Sequence, residues 1–237
     1  MQPGPFDHAL APDPDALTLY LVRHGRTVFN AQRRIQGWSD SDLTDDGLAG
    51  VRATARNLEP LELHAAYTSP SERTLTTSAE ILAYHPGLEP EARDGLREFN
   101  FGVYEERPES ELVDHVDWMV LFREVLEGTY PGFPGGESAQ VYLERVQAVF
   151  ADIETRHRPG ENVLVVSHGM TLMVYLAMSG IVSGQALANA SVTVVHVRDG
   201  RRTAAVVGHD PSGTAPREGR LQQAEATAIE AEVEQGD

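Results

Sequence analysis

Two stretches of the chain share one local pattern: an apolar run, a histidine, then a glycine. Leu19-Tyr20-Leu21-Val22 leads into Arg23-His24-Gly25, and Val163-Leu164-Val165-Val166 leads into Ser167-His168-Gly169. Arg23 adjoins the first histidine, and Arg73 lies just past a third apolar run that ends at Tyr67-Thr68-Ser69. An imidazole with an ordinary pKa of about 6.5 is largely neutral and nucleophilic at neutral pH. A guanidinium is always charged, matches phosphate oxygens bidentately and does not compete as a nucleophile. A lone histidine is more often structural, but two in matched contexts beside two arginines point to phosphoryl transfer. In that reaction, charge spread over equatorial oxygens is stabilised mainly by positioning and electrostatics.

The elements that must position these residues can be read from the surrounding pattern. Short apolar runs at 18–22, 64–68 and 162–166 read as buried strands, each followed by a turn and a helix. Thr44 is a natural N-cap for a helix to about Leu58, with Asp45 and Asp46 at the positive end of its dipole. Further helices are expected over 71–84, 111–126, 138–156 and 170–179. Strands at 191–197 and 203–207 flank Asp199-Gly200, a hairpin turn. The alternation predicts an α/β three-layer sandwich: a mostly parallel sheet with an antiparallel strand, helices on both faces, and a small helical lid at about 103–134. Ligands of such sheets bind at the carboxyl ends of the strands, so both His–Gly turns should meet at one edge. There glycine permits the tight turn, and free backbone N–H groups favour an anion.

Residues 18–209 read as one domain, between a Pro/Asp-rich flexible tail at 1–17 and an acidic tail at 210–237. Composition narrows the chemistry. There is no cysteine, which excludes a thiolate nucleophile and Cys-based metal sites. All 19 basic residues are arginine, which excludes a Walker-type loop and a Schiff-base lysine. A net charge of −17 argues against nucleic acid as a partner. No apolar run is long enough for a membrane span, and the first residues do not form a secretory signal, so the expected location is cytoplasmic.

The same residues, with others in order along the chain, resemble the histidine phosphatase superfamily, also called the phosphoglycerate mutase-like family. The carriers are Leu21-Val22-Arg23-His24-Gly25-Arg26-Thr27, Asn30, Gln36-Gly37-Trp38-Ser39-Asp40, and Leu43-Thr44 with Gly47. They continue with Thr68-Ser69, Arg73-Thr74, Thr77-Ser78-Ala79-Glu80, Leu96-Arg97-Glu98-Phe99, Phe101-Gly102, Pro134-Gly135-Gly136-Glu137-Ser138 and Val166-Ser167-His168-Gly169. The resemblance covers about residues 18–207. It implies His24 as phosphate acceptor, with Arg23, Arg73 and His168 as the charged pocket. It also implies Glu98 as general acid and base, and Thr27, Asn30, Gln36, Gly37 and Gly169 as phosphate contacts or supports for them. No cofactor and no metal is implied, and the partner would be a small phosphorylated metabolite.

Two departures stand out. Glu106 follows Glu105 where the family often has glycine, and 103–134 matches only loosely. The mutases of the family resemble one another in a paired-arginine segment after the acid and in a nearby lysine. This chain has only Arg107 and Arg123 between Phe99 and Pro134, and no lysine, which points to the phosphatase branch. A phosphoglycerate mutase and a non-catalytic phosphate-binding domain are the alternatives. A metallohydrolase is disfavoured by the lack of HExxH or H-x-H. The aromatic residues Trp118, Phe122, Tyr130 and Phe133 could either favour an apolar leaving group or pack a core.

Overall fold

A computed structural model of the protein describes residues 10–113, 116–183 and 185–213. Its centre is a six-stranded sheet in the order β3-β2-β4-β1-β5-β6. The strands are β1 (Leu17–Arg23), β2 (Ala65–Thr68), β3 (Glu91–Ala92), β4 (Asn162–Ser167), β5 (Val192–Arg198) and β6 (Arg201–His209). β1, β2, β3 and β4 are mutually parallel, and β5 runs antiparallel to both β1 and β6. Strands buried on both faces need near-continuous apolar sequence, and β1 and β4 supply it. Asp199 and Gly200 both take positive φ (51° and 75°), as a tight primed hairpin turn requires.

The alternation of side chains along each strand splits the core into two layers. Leu19, Leu21, Val163 and Val165 face one way, against α5 (Trp118–Leu126), α6 (Ala139–Arg156) and α7 (Gly169–Met178). Tyr20, Val22, Leu164 and Val166 face the other, against α2 (Asp45–Leu58) and α3 (Glu72–Leu82). The Thr44 side chain caps α2 by accepting from Gly47 N–H at 3.0 Å. Ser138 caps α6 in the same way through Val141 N–H.

Several sequence expectations change. The single helix expected over 111–126 is two: α4 (Glu109–Val113) and α5, with 114–115 outside the described residues. Asp117 explains the second start, since its carboxylate accepts from Met119 and Val120 N–H and so caps a new helix. The buried face of α5 is therefore Leu121 and Val125, while Met119 is 77% exposed and Val120 37%. A short helix, α1 (Val28–Ala31), and the two-residue β3 had no periodic signal. Glu98 follows a 3-10 turn at Asp94–Leu96. Within the segment read as an N-terminal tail, Leu10 is fully buried and its carbonyl accepts from the Tyr20 hydroxyl at 2.8 Å. Residues 1–9 and 214–237, which hold most of both expected tails, lie outside the described residues. Among the described residues, no helix is long and apolar enough to cross a membrane.

Candidate active site at the carboxyl edge of the sheet

β1 and β4 are parallel neighbours with Arg23 opposite Ser167, so the next residue of each strand emerges side by side. Those residues are His24 and His168, whose rings meet edge-on with centroids 5.3 Å apart. A backbone bond from His24 N–H to the Ser167 carbonyl, 3.0 Å, ties the two turns together. β2 ends at Thr68, Ser69 N–H still donates to the Val166 carbonyl of β4 at 3.0 Å, and α3 begins at Glu72, which brings Arg73 to the same edge.

The two histidines are held in different ways. His24 Nδ1 lies 2.8 Å from the Gly25 carbonyl, which can only accept, so Nδ1 carries the proton and Nε2 keeps its lone pair. His168 Nδ1 lies 3.0 Å from Arg73 Nη2, which can only donate, so here Nδ1 is the acceptor. Its Nε2–H then donates to Ser69 Oγ at 2.8 Å. Both rings are buried, and their pKa values lie well below the ordinary histidine value. Burial is the main cause for each, followed by the charge of Arg73, with Arg23 adding to the effect. Both imidazoles are therefore neutral, as a nitrogen nucleophile must be.

Arg73 is 1% exposed, and protein acceptors engage both of its terminal nitrogens. Nη1 donates to Ser39 O and Asp40 Oδ1, both at 2.8 Å, and Nη2 to Gly37 O at 2.7 Å and to His168. Its Nε–H is buried and has no protein partner. Asp40 also accepts from the N–H groups of Glu72 and Arg73 and so holds the start of α3. Arg23 donates through Nη1 to the Leu187 carbonyl. Its guanidinium crosses the start of α7, where a Cβ on Gly169 would come within 3.3 Å of it.

Glu98 lies at the N-terminus of α7. Its carboxylate accepts from Met170 N–H (3.0 Å), Thr171 N–H (3.1 Å) and the Thr171 hydroxyl (3.0 Å), and from Phe99 N–H (3.0 Å). Helix N-termini attract anions, and here the protein's own carboxylate takes that place. The backbone N–H groups expected to meet an anion are thus partly engaged: Gly25 N–H also donates to Thr77 Oγ1. Arg145, from α6, braces the acid's segment by donating to the carbonyls of Gly95, Arg97 and Glu98 and pairing with Glu137. Trp38, 44% exposed, donates its indole N–H to the Glu98 carbonyl at 3.0 Å and lies under the Arg97 guanidinium, 5.1 Å away.

Thr27, Asn30 and Gln36 form a polar rim. Thr27 and Asn30 make a reciprocal capping box on α1, and the Thr27 hydroxyl donates to Gln36 Oε1 at 2.8 Å. The geometry thus brings His24, His168, Arg73 and Gly37 into direct contact, sets Arg23 against Gly169, and groups Thr27, Asn30 and Gln36 by hydrogen bonds, while Glu98 bonds to the backbone just after Gly169.

A model of the histidine phosphatase superfamily, branch 1, matches residues 19–210. The chain belongs to the histidine phosphatase superfamily. A curated relative, the probable phosphoglycerate mutase GpmB of Enterobacter sp. (strain 638), is 40% identical over 158 residues, 66% of this chain and 71% of its own length. The crystal structure of phosphoglycerate mutase from Bacillus anthracis superposes with a TM-score of 0.69 at 29% identity, covering 83% of this chain and 95% of that one. A mycobacterial glucosyl-3-phosphoglycerate phosphatase shares the fold, with a TM-score of 0.70 at 22% identity over 82% of this chain and 99% of its own. A mutase name thus stands among the relatives, and a phosphatase name among the proteins that share the fold.

Sequence reasoning about this superfamily member named Asp40 and Ser69 in its motif blocks without giving them a role, and missed Arg145, Thr171 and Asn189. Arg145 had a signal, a charged position on the buried face of α6 beside Tyr142, Val146 and Val149. Asn189 had none, because its partners are 165 and 159 residues away.

Proposed function

We propose that this chain is a metal-independent phosphomonoester hydrolase that forms a phosphohistidine on His24. The observation that carries the reading is the bond from His24 Nδ1 to the Gly25 carbonyl, which leaves a neutral, lone-pair-bearing Nε2 in a buried site beside two arginines. In the first step Nε2 attacks phosphorus while the P–O bond to the leaving group breaks. Glu98 protonates the departing oxygen. Glu98 then takes a proton from water, which attacks the phosphohistidine and releases inorganic phosphate and free His24. Arg23, the Nε–H of Arg73, and the rim amides of Asn30 and Gln36 balance the equatorial oxygens. The substrate is a small phosphorylated metabolite.

A second reading, phosphoglycerate mutase, is favoured by the likeness to GpmB. Against it, the two arginines that flank the acid's segment are already paired and so do not stand free as a clamp for a substrate carboxylate. Arg107 pairs with Glu111 and lies over Tyr104, and Arg97 pairs with Asp94. Among the aromatic residues of the lid, Phe133 is buried, Phe122 and Tyr130 pack against the core, and Trp118 is 39% exposed.

Rapid quench with a phosphorylated substrate tests the mechanism. It should trap an acid-labile, alkali-stable adduct on His24, absent in His24→Ala, and an acid-stable serine phosphoester would overturn the assignment. A coupled assay with 3-phosphoglycerate and catalytic 2,3-bisphosphoglycerate separates the two readings. Inorganic phosphate should form faster than 2-phosphoglycerate, and the reverse order would favour the mutase.

A further inference from the structure

We propose that Asn189 is a positioning residue for phosphoryl transfer, fixing both the backbone of the nucleophile and the donor end of Asn30. The proposal rests on the reading of His24 as nucleophile. Residues 187–191, just before β5, form a strap across the end of β1. The Ala190 N–H is shared between the carbonyls of Arg23 (3.0 Å) and His24 (3.1 Å), and the Ser191 carbonyl accepts from Arg23 N–H at 3.2 Å. The Asn189 amide nitrogen donates to the His24 carbonyl at 3.1 Å and to Asn30 Oδ1 at 3.3 Å. The strap is itself anchored by the Thr54 hydroxyl, which donates to the Ala190 carbonyl at 2.6 Å.

Ala190 has a φ of 58°, in the left-handed region that alanine seldom occupies, and is 3% exposed. Such a conformation persists only where the surroundings over-determine it, and such residues cluster at functional sites. Here the surroundings are the bonds to Arg23, His24 and Thr54.

Two consequences follow for the chemistry. The His24 ring is aimed by its bond to the next residue's carbonyl, so its direction follows the backbone at 24–25. Asn189 and Ala190 are the donors that hold the His24 carbonyl. In addition, Asn30 Oδ1 accepts from both Thr27 N–H (3.1 Å) and Asn189. With its oxygen engaged twice, the Asn30 amide keeps its NH₂ end for an incoming phosphate. Without Asn189, less holds that amide against a flip that would turn an oxygen toward the phosphate oxygens.

The test compares wild type, Asn189→Ala and Asn189→Asp. Aspartate keeps the volume but has no hydrogen to give, and it faces two acceptor oxygens. Quench-flow with an aryl phosphate, normalised to burst amplitude, should show phosphorylation of His24 slowed about tenfold in Asn189→Ala and about 100-fold in Asn189→Asp. Inhibition by vanadate should weaken in both. A merely structural role would lower the melting temperature and the burst amplitude, but leave the normalised rate and the vanadate affinity unchanged, and that result overturns the proposal. Should Asn189→Asp fail to fold, Asn189→Ala decides by the same two readouts. Absence of any His24 adduct in wild type would refute the reading of the nucleophile instead. Vanadate affinity would then judge Asn189, with unchanged affinity overturning its role.

Discussion

Glu98→Gln separates the two tasks that the structure gives one carboxylate. Oε1 accepts from Phe99 N–H, Thr171 N–H and the Thr171 hydroxyl, and Oε2 accepts from Met170 N–H. Glutamine has one acceptor oxygen. Placed at the Oε1 position, that oxygen keeps three of the bonds and turns the NH₂ group against the Met170 N–H. One hydrogen bond to a charged acceptor is lost, about 1.5–3 kcal/mol, and a donor is left facing a donor. Removing a negative charge from the start of α7 costs about 0.3–1 kcal/mol more. The sum, about 2–4 kcal/mol, should lower the melting temperature by about 5–12 °C in a domain of this size. Activity is then assayed well below that transition on two substrates. An alkyl phosphate needs its leaving oxygen protonated and should lose about 10²–10⁴-fold in kcat, the span typical of a general acid. Nitrophenyl phosphate releases a stable phenolate and should lose less than about tenfold. Equal losses on the two substrates would refute the acid role and leave Glu98 as a helix cap alone.

Turnover should persist in EDTA, because arginine charge stands where a divalent ion would otherwise be needed, and vanadate should inhibit as a five-coordinate mimic. Loss of activity in chelator with recovery on adding a divalent ion would favour a metallohydrolase. Stability should fall on acidification. His24 and His168 are held below the ordinary value when folded, so below about pH 6.5 the unfolded chain binds protons that the folded one does not. The stability present above that pH is lost as pH drops toward the folded values, by up to about 1.4 kcal/mol per pH unit for each ring. Urea midpoints of wild type and His168→Asn at pH 7 and 5.5 check this. An unchanged dependence in the variant would mean that His168 is not the buried neutral base described.

The local features of this protein were legible in its sequence because each is set by neighbours along the chain. Apolar runs gave β1 and β4, Thr44 and Ser138 marked helix starts, and Asp199-Gly200 marked the hairpin. The two His–Gly turns identified the edge where chemistry would gather, since a strand followed by a glycine turn presents its next residue at the sheet's end. What the sequence left open depends on partners distant in the chain. The break before α5 was hidden because Asp117 looks like any surface carboxylate until it caps a helix. That β1 and β4 are neighbours in register, which puts His24 beside His168, is decided by how the sheet orders its strands. The opposite tautomers of those two rings depend on a carbonyl one residue away in one case and on Arg73, 95 residues away, in the other. Glu98 became a cap of α7, and Asn189 a clamp on His24, only through contacts across the folded domain. Hydrogen bonds act over about 3 Å, and no pattern of residue types fixes which distant groups the chain will bring that close.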